Sequence, residues 1–207
     1  MSSTRTKFLI MLTILCFTMV SCEIAERDVL EPGLPEYSEV GKNAAGAIIN
    51  GLLWRDFNYV GLFSGDSYIR IQYDTIKMKS RITLSAGLVT GIESSEGASI
   101  YFDFSNQVLK SREDLKSLHE TEWRIDGNTL DAGISSGYFE DLNCEGGRSA
   151  SGNLFIRGAN MYKNEEDISY QVFCGTFGFT IASDCGKINV FRGRFDYRYI
   201  VFSPVDL

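Results

Sequence analysis

The sequence predicts an all-β protein: a single-domain β-sandwich or partly open antiparallel β-barrel with one short helix. Three observations carry this. Apolar–polar alternations of period two recur along most of the chain after residue 46. Helical spacing of apolar residues occurs once. The composition sets 14 Phe and 10 Tyr beside 20 Gly and 3 Pro, a balance of strand-forming and turn-forming residues. With 44% apolar and 23% charged residues over 207 positions, the chain suffices for one domain around one core.

The first element in chain order is an address. Arg5 and Lys7 precede the apolar run Phe8–Val20, which ends at Ser21-Cys22. This basic start and short apolar stretch fall below the roughly 18 residues needed to span a bilayer. Met19-Val20-Ser21-Cys22 resembles a bacterial lipoprotein signal, in which a small residue precedes the lipidated cysteine; Met stands where Leu is usual. The resemblance implies a signal peptide over residues 1–21, cleavage before Cys22, and attachment of Cys22 to the lipid bilayer of the cell outer membrane through palmitate-type chains. Each acyl CH₂ buried in the bilayer contributes about 0.8 kcal/mol. Removal of residues 1–21 takes away Arg5 and Lys7 and no acid, leaving 18 basic and 27 acidic residues, net −9. Such a surface is repelled by anionic headgroups and by a phosphate backbone, which argues against nucleic acid as a partner. Glu23, Glu26 and Asp28 resemble the acidic stretch that sends some Bacteroidetes-type lipoproteins to the cell surface. They equally fit a solvated linker, so the periplasmic and surface faces both stay open.

Residues 22–45 follow as the lipidated cysteine and a flexible acidic tether, holding two of the three prolines and no periodicity. The globular domain is expected over 46–207. It opens on a hairpin at Asn50-Gly51 between apolar flanks, because both positions tolerate positive φ. In Tyr68–Leu84, Ile69, Ile71 and Tyr73 alternate with Arg70, Gln72 and Asp74, and after Thr75 the phase changes. A strand cannot change face without an extra residue or a turn, so Asp74-Thr75 is a break. Beyond it Ile76, Met78, Ile82 and Leu84 are expected on one face, with Lys77, Lys79 and Arg81 opposite. Further strands are read at Ser99–Phe104, Glu122–Ile125, Leu154–Ile156, Tyr170–Ile181, Lys187–Phe191 and Arg194–Phe202, the last with Phe195, Tyr197, Tyr199 and Val201 on one face. Ser111–His119 is the helix: Ser111 and Asp114 approximate a capping box, and Leu115 and Leu118 lie three apart.

Two segments carry a family resemblance. Gly46 to Trp54, read as Gly-x-Ile-x-Asn-Gly-x-x-Trp, is similar to the start of small Bacteroidetes lipoproteins of domain-of-unknown-function families. Gly175-Thr176-Phe177-x-Phe179-Thr180 and Gly193-Arg194-Phe195-Asp196 look like their closing strands. The resemblance implies an envelope address and an all-β fold, and carries no activity, cofactor or catalytic residue.

For chemistry, the one histidine, His119, makes a histidine-based metal site or a Ser-His-Asp triad improbable. Ser111, Asp114 and His119 share one short helix at offsets that do not converge on a reacting atom. No Gly-rich phosphate loop and no Cys-x-x-Cys occurs, so neither cofactor nor metal is expected. Glu165, Glu166 and Asp167 sit at the tip of a hairpin expected over Asn160–Asp167, a solvated turn without the EF-hand spacing. Lys77, Lys79 and Arg81 form either an anion-binding stripe or a guarded, solvated strand face. Of the tryptophans, Trp54 belongs to the core, whereas Trp123 is a candidate contact for a ligand. Cys144, Cys174 and Cys185 can oxidise beyond the inner membrane. A hairpin turning near Asp184 puts Cys174 roughly 30 Å from Cys185, far past the ~7 Å Cα limit for a bridge. The hairpin joining 153–159 to 169–182 brings Cys144 beside Cys185, the expected disulfide if one forms. The function expected is a membrane-anchored lipoprotein serving as a non-catalytic binding or interaction module for a protein or glycan partner. Two alternatives are a carboxylate-dependent hydrolase of carbohydrate, which needs two opposed acids, and a structural subunit of an envelope assembly.

Overall fold

The computed structural model describes residues 33–35, 37–56, 68–91, 95–142, 148–163 and 169–205. One compact unit spans Gly33–Leu207. The signal segment, Cys22, Cys144 and Glu165–Asp167 lie outside the described residues.

The fold is all-β, as the alternation predicts. Among the described residues, eleven strands make one curled, partly open sheet. In spatial order its main path runs β13 (Ile200–Pro204), β3 (Ile69–Asp74), β4 (Lys79–Val89), β2 (Leu52–Arg55), β1 (Ala44–Ile49), β12 (Gly186–Tyr197), β11 (Phe173–Ser183), β8 (Ser149–Gly158) and β6 (Thr121–Ile125). On the other side of β4, β5 (Ser95–Ser105) pairs along its length, and β7 (Leu130–Ser136) pairs with β5. The pairs are antiparallel except β13–β3, which is parallel. The barrel comes near closure where β6 turns into β7, with Asp126 and Gly127 N–H donating to the Leu130 carbonyl at 3.0 and 3.1 Å. A separate small hairpin joins β9 (Met161–Lys163) to β10 (Ser169–Gln171). The only α-helix among the described residues is α1 (Arg112–Lys116); a 3-10 segment spans Gly137–Leu142.

Inward residues at alternate positions fill the barrel. Phe102 of β5 meets Phe177 and Phe179 of β11 edge-to-face at 5.3 and 5.9 Å between centroids, so the two halves of the curled sheet share one aromatic core. Trp54 is fully buried and donates its indole N–H to the Ala98 carbonyl at 3.1 Å.

The turns follow the residues that permit them. Asn50 and Gly51 take φ of 48° and 85° in a two-residue hairpin between Ile49 and Leu52, the mirror-image turn that matches strand twist. The break at Asp74-Thr75 is a hairpin turn. The buried Asp74 carboxylate accepts from the N–H groups of Ile76 and Lys77, both at 2.9 Å, and β4 then returns with Lys79 opposite Asp74. Ile82 and Leu84 are inward as expected, but Ile76 (88% exposed) and Met78 (49%) are at the tip and not on the core face. Ser111 caps α1, accepting from the Asp114 N–H at 3.2 Å, and Leu115 and Leu118 are buried.

Two expectations are corrected near the domain boundary. First, the part of the 22–45 tether that is described, from Gly33, is fixed to the domain. Asp196 of β12, 3% exposed, accepts from the backbone N–H of Gly41 at 2.7 Å, that of Lys42 at 3.0 Å, and the Ser38 hydroxyl. Pro35 packs so closely on Gly46 that a Cβ there would collide with it. The absence of periodicity is a property of irregular chain and does not imply freedom: a carboxylate buried opposite that chain supplies its hydrogen bonds. Second, Arg194–Phe202 is not one strand. Phe195 and Tyr197 are inward, but the chain turns at Arg198-Tyr199, leaving Tyr199 half-exposed in the turn and Val201 half-exposed on β13. Asn43 holds this turn, its Oδ1 accepting from Arg198 N–H at 2.8 Å and Tyr199 N–H at 3.2 Å. Within β12 a bulge lies at Phe191–Gly193, where Arg192 has φ 56°. Phe191 is outward in phase with Asn189, and the inserted residue brings Phe195 onto the core face.

Candidate functional site

The outer faces of β3, β4, β5 and β7 form the floor of an open polar groove of about 900 Å³. Strand pairing builds it. Arg81 of β4 stands beside Asp103 of β5, which stands beside Asp131 of β7. Tyr101 is flanked by Thr83 and Gly133. All point away from the core because their neighbours Ile82, Ile100, Phe102, Ala132 and Ile134 point in.

Two ion pairs and one ring organise the groove. Arg81 donates from Nε and Nη2 to the two oxygens of Asp103 at 2.6 and 2.7 Å, the bidentate geometry that fixes a guanidinium plane. This bond holds the Arg81 pKa above its ordinary value. The Arg81 guanidinium lies 4.5 Å from the centroid of the Tyr101 ring, a cation–π contact. Arg148, just before β8, reaches across β7 and donates to the Tyr101 hydroxyl at 2.6 Å and to Asp131 at 3.1 Å. The crossing needs Gly133, where a Cβ would overlap both the Tyr101 ring and the Arg148 guanidinium. The ring therefore lies over the bare glycine of the neighbouring strand, an arrangement that restores packing a glycine would forfeit. Hydroxyls of Thr83, Ser99, Ser135 and Ser136 surround the cluster. Gly97 and Gly137, also at the groove, have nothing within 4 Å of an added Cβ.

Of the sequence-predicted site residues, Arg81 lines this groove. Lys77 is at the β3–β4 tip, 3.8 Å from the Asp74 carboxylate, and Lys79 is exposed at the start of β4 beside it, so the three cations form no common stripe. Trp123 is half-buried. Its ring packs edge-to-face on Phe104 at 5.1 Å and its N–H donates to Thr121 at 2.9 Å. His119 meets the Asn160 amide at 2.8 Å, while Ser111 and Asp114 bond each other in the cap of α1; the histidine belongs to a separate contact. Tyr101, Asp103, Asp131, Gly133 and Arg148 were not singled out by sequence reasoning. The outward half of the β5 alternation was the one available signal.

The cysteines separate into two environments. Cys185 lies in the two-residue turn between Ser183 and Gly186 and is disulfide-bonded. Cys174 is a free, buried thiol opposite Asp196, which excludes a Cys174–Cys185 bridge. Burial, with the Asp196 and Glu39 carboxylates nearby, pushes the Cys174 pKa up to about 12, so the thiol is protonated and a poor nucleophile at neutral pH.

No protein-family model, curated protein or solved structure matches this chain.

Proposed function

We propose that this protein is a membrane-anchored envelope lipoprotein, held by acylated Cys22 and acting as a non-catalytic binding module through the polar groove on β3, β4, β5 and β7. The observation that carries the binding half is the Arg81–Asp103 and Arg148–Asp131 pairing around Tyr101. Both acids there are held by guanidinium groups, an arrangement for presenting fixed donors and acceptors. A hydrolase would need one acid with a raised pKa facing a second across a gap. The anchor half rests on the resemblance of residues 19–22 to a lipoprotein signal.

Two measurements test this. Cys22→Ala is expected to leave the protein unprocessed or to move it out of the membrane fraction; normal anchoring of that variant overturns the anchor. For the groove, a polarity-sensitive fluorophore on Ser135→Cys reports occupancy in detergent-extracted full chain. A spectral shift with an envelope or culture polymer that is recovered intact supports the module. A spectrum unmoved in every mixture, or a shift accompanied by cleavage of the polymer, overturns it.

A further inference from the structure

The groove's charge balance narrows its ligand. We infer that it takes a neutral polyhydroxylated chain, the chemistry of an uncharged glycan; this rests on the groove being the binding site. Two guanidinium groups, Arg81 and Arg148, line it, and each is closed on a carboxylate, Asp103 at 2.6 Å and Asp131 at 3.1 Å, so the local charge sums to zero. An anionic ligand would meet guanidinium groups already neutralised by Asp103 and Asp131, on a chain of net charge −7, against unfavourable potential. A cation finds both carboxylates already held by arginine. An apolar ligand finds little apolar surface, because Ile134 and Ile181 at the groove are each only 4% exposed. An extended peptide would need an open strand edge, yet β5 is paired on both sides and Arg148 crosses β7 at Gly133.

A sugar ring meets none of these obstacles. Neighbouring hydroxyls both donate and accept, so a diol is matched by an ion pair that offers both functions in one plane. Each guanidinium carries five N–H donors, and the Arg81 and Arg148 bonds above use two apiece. The carboxylate oxygens keep further lone pairs. The hydroxyls of Ser99, Ser135 and Thr83 extend the same dual character along the floor. Gly97 and Gly137 leave the floor low where a ring would lie, and the volume of about 900 Å³ falls within the about 300–1,000 Å³ usual for ligand sites.

The test is affinity electrophoresis of the detergent-extracted full chain in gels cast with soluble starch, xylan, mannan or mixed-linkage β-glucan, and with polygalacturonate as the acidic comparison. Retardation by at least one neutral polysaccharide is expected, little changed by about 0.5 M NaCl, since exposed long-range charge effects are screened there. Gly97→Phe adds a side chain over open space and is expected to weaken that binding about tenfold or more; Gly137→Phe is the second variant should the first not fold. Retardation by polygalacturonate alone, lost in Gly97→Phe, overturns the neutral ligand and leaves the groove standing. Neutral binding that survives both variants undiminished overturns the groove itself. No retardation by any neutral polysaccharide overturns the inference.

Discussion

Asp196→Ala is expected to free the chain around Ser38–Lys42 from β12 and to cost a large part of the domain's stability. In the parent, the Asp196 carboxylate is 3% exposed and receives the Gly41 and Lys42 N–H groups at 2.7 and 3.0 Å, and the Ser38 hydroxyl. Hydrogen bonds to a charged acceptor are worth about 1.5–3 kcal/mol each, and a buried donor left without a partner costs about 1–3 kcal/mol. Both backbone donors lose their acceptor, but Lys42 is half-exposed to water and regains part of its loss, so about 3–5 kcal/mol is expected. For a chain of this size each kcal/mol lowers Tm by about 2–4 °C, so the variant should melt about 6–20 °C below the parent. Asp196→Asn should fall between the two, since its NH₂ replaces one of the two accepting oxygens. Thermal unfolding followed by circular dichroism gives the shift, and limited proteolysis shows whether cleavage opens within residues 36–43. An Asp196→Ala midpoint within about 3 °C of the parent, with no new cleavage there, would refute the docking of this segment and restore a free tether up to residue 45.

Cys174 makes a pH-dependent contribution. Its folded pKa lies above the ordinary 9.0, at about 12, so this contribution is fully present below about 9 and is lost as the pH rises toward 12; a Cys174→Ser variant with an unchanged alkaline stability profile would sink this. Native protein at pH 8 should react slowly with a thiol reagent at Cys174, and rapidly once unfolded; fast native labelling counts against the assignment. The disulfide of Cys185 is expected to join Cys144. Ser149, at the start of β8, pairs with Ala182, two residues before the Asp184–Cys185 turn, and closing this 40-residue span is worth about 3–4 kcal/mol in the chain-entropy model before strain is subtracted. Peptide mapping without reduction should return that linked pair, and a different partner for Cys185 would overturn the assignment.

Much of the architecture was legible because strands write their period locally. Ile69, Ile71 and Tyr73 against Arg70 and Gln72, the Asn50-Gly51 turn, and the Ser111 cap each depend on residues a few positions apart. So does the phase change at Asp74-Thr75, whose physical cause is that a pleated chain cannot change face unaided. The same alternation misled where the chain left the sheet. Ile76 and Met78 keep the phase of β4 but occupy its turn, and Tyr199 and Val201 keep the phase of β12 beyond a bend imposed by Asn43, some 155 residues earlier. Only contacts at that separation distinguish a continuing strand from a bent one. The groove shows the same division. The period-two alternation marked an outward polar face on β4 and β5, while β7 went unread. Which of those polar residues meet was decided by the folded sheet: β5 pairs with β7 in the register that sets Tyr101 on Gly133, and Arg148 arrives from another strand to close the cluster. Period two says which way a side chain points, whereas its neighbours follow from register, and register is a balance of burial over the whole sheet that no local run of residues records.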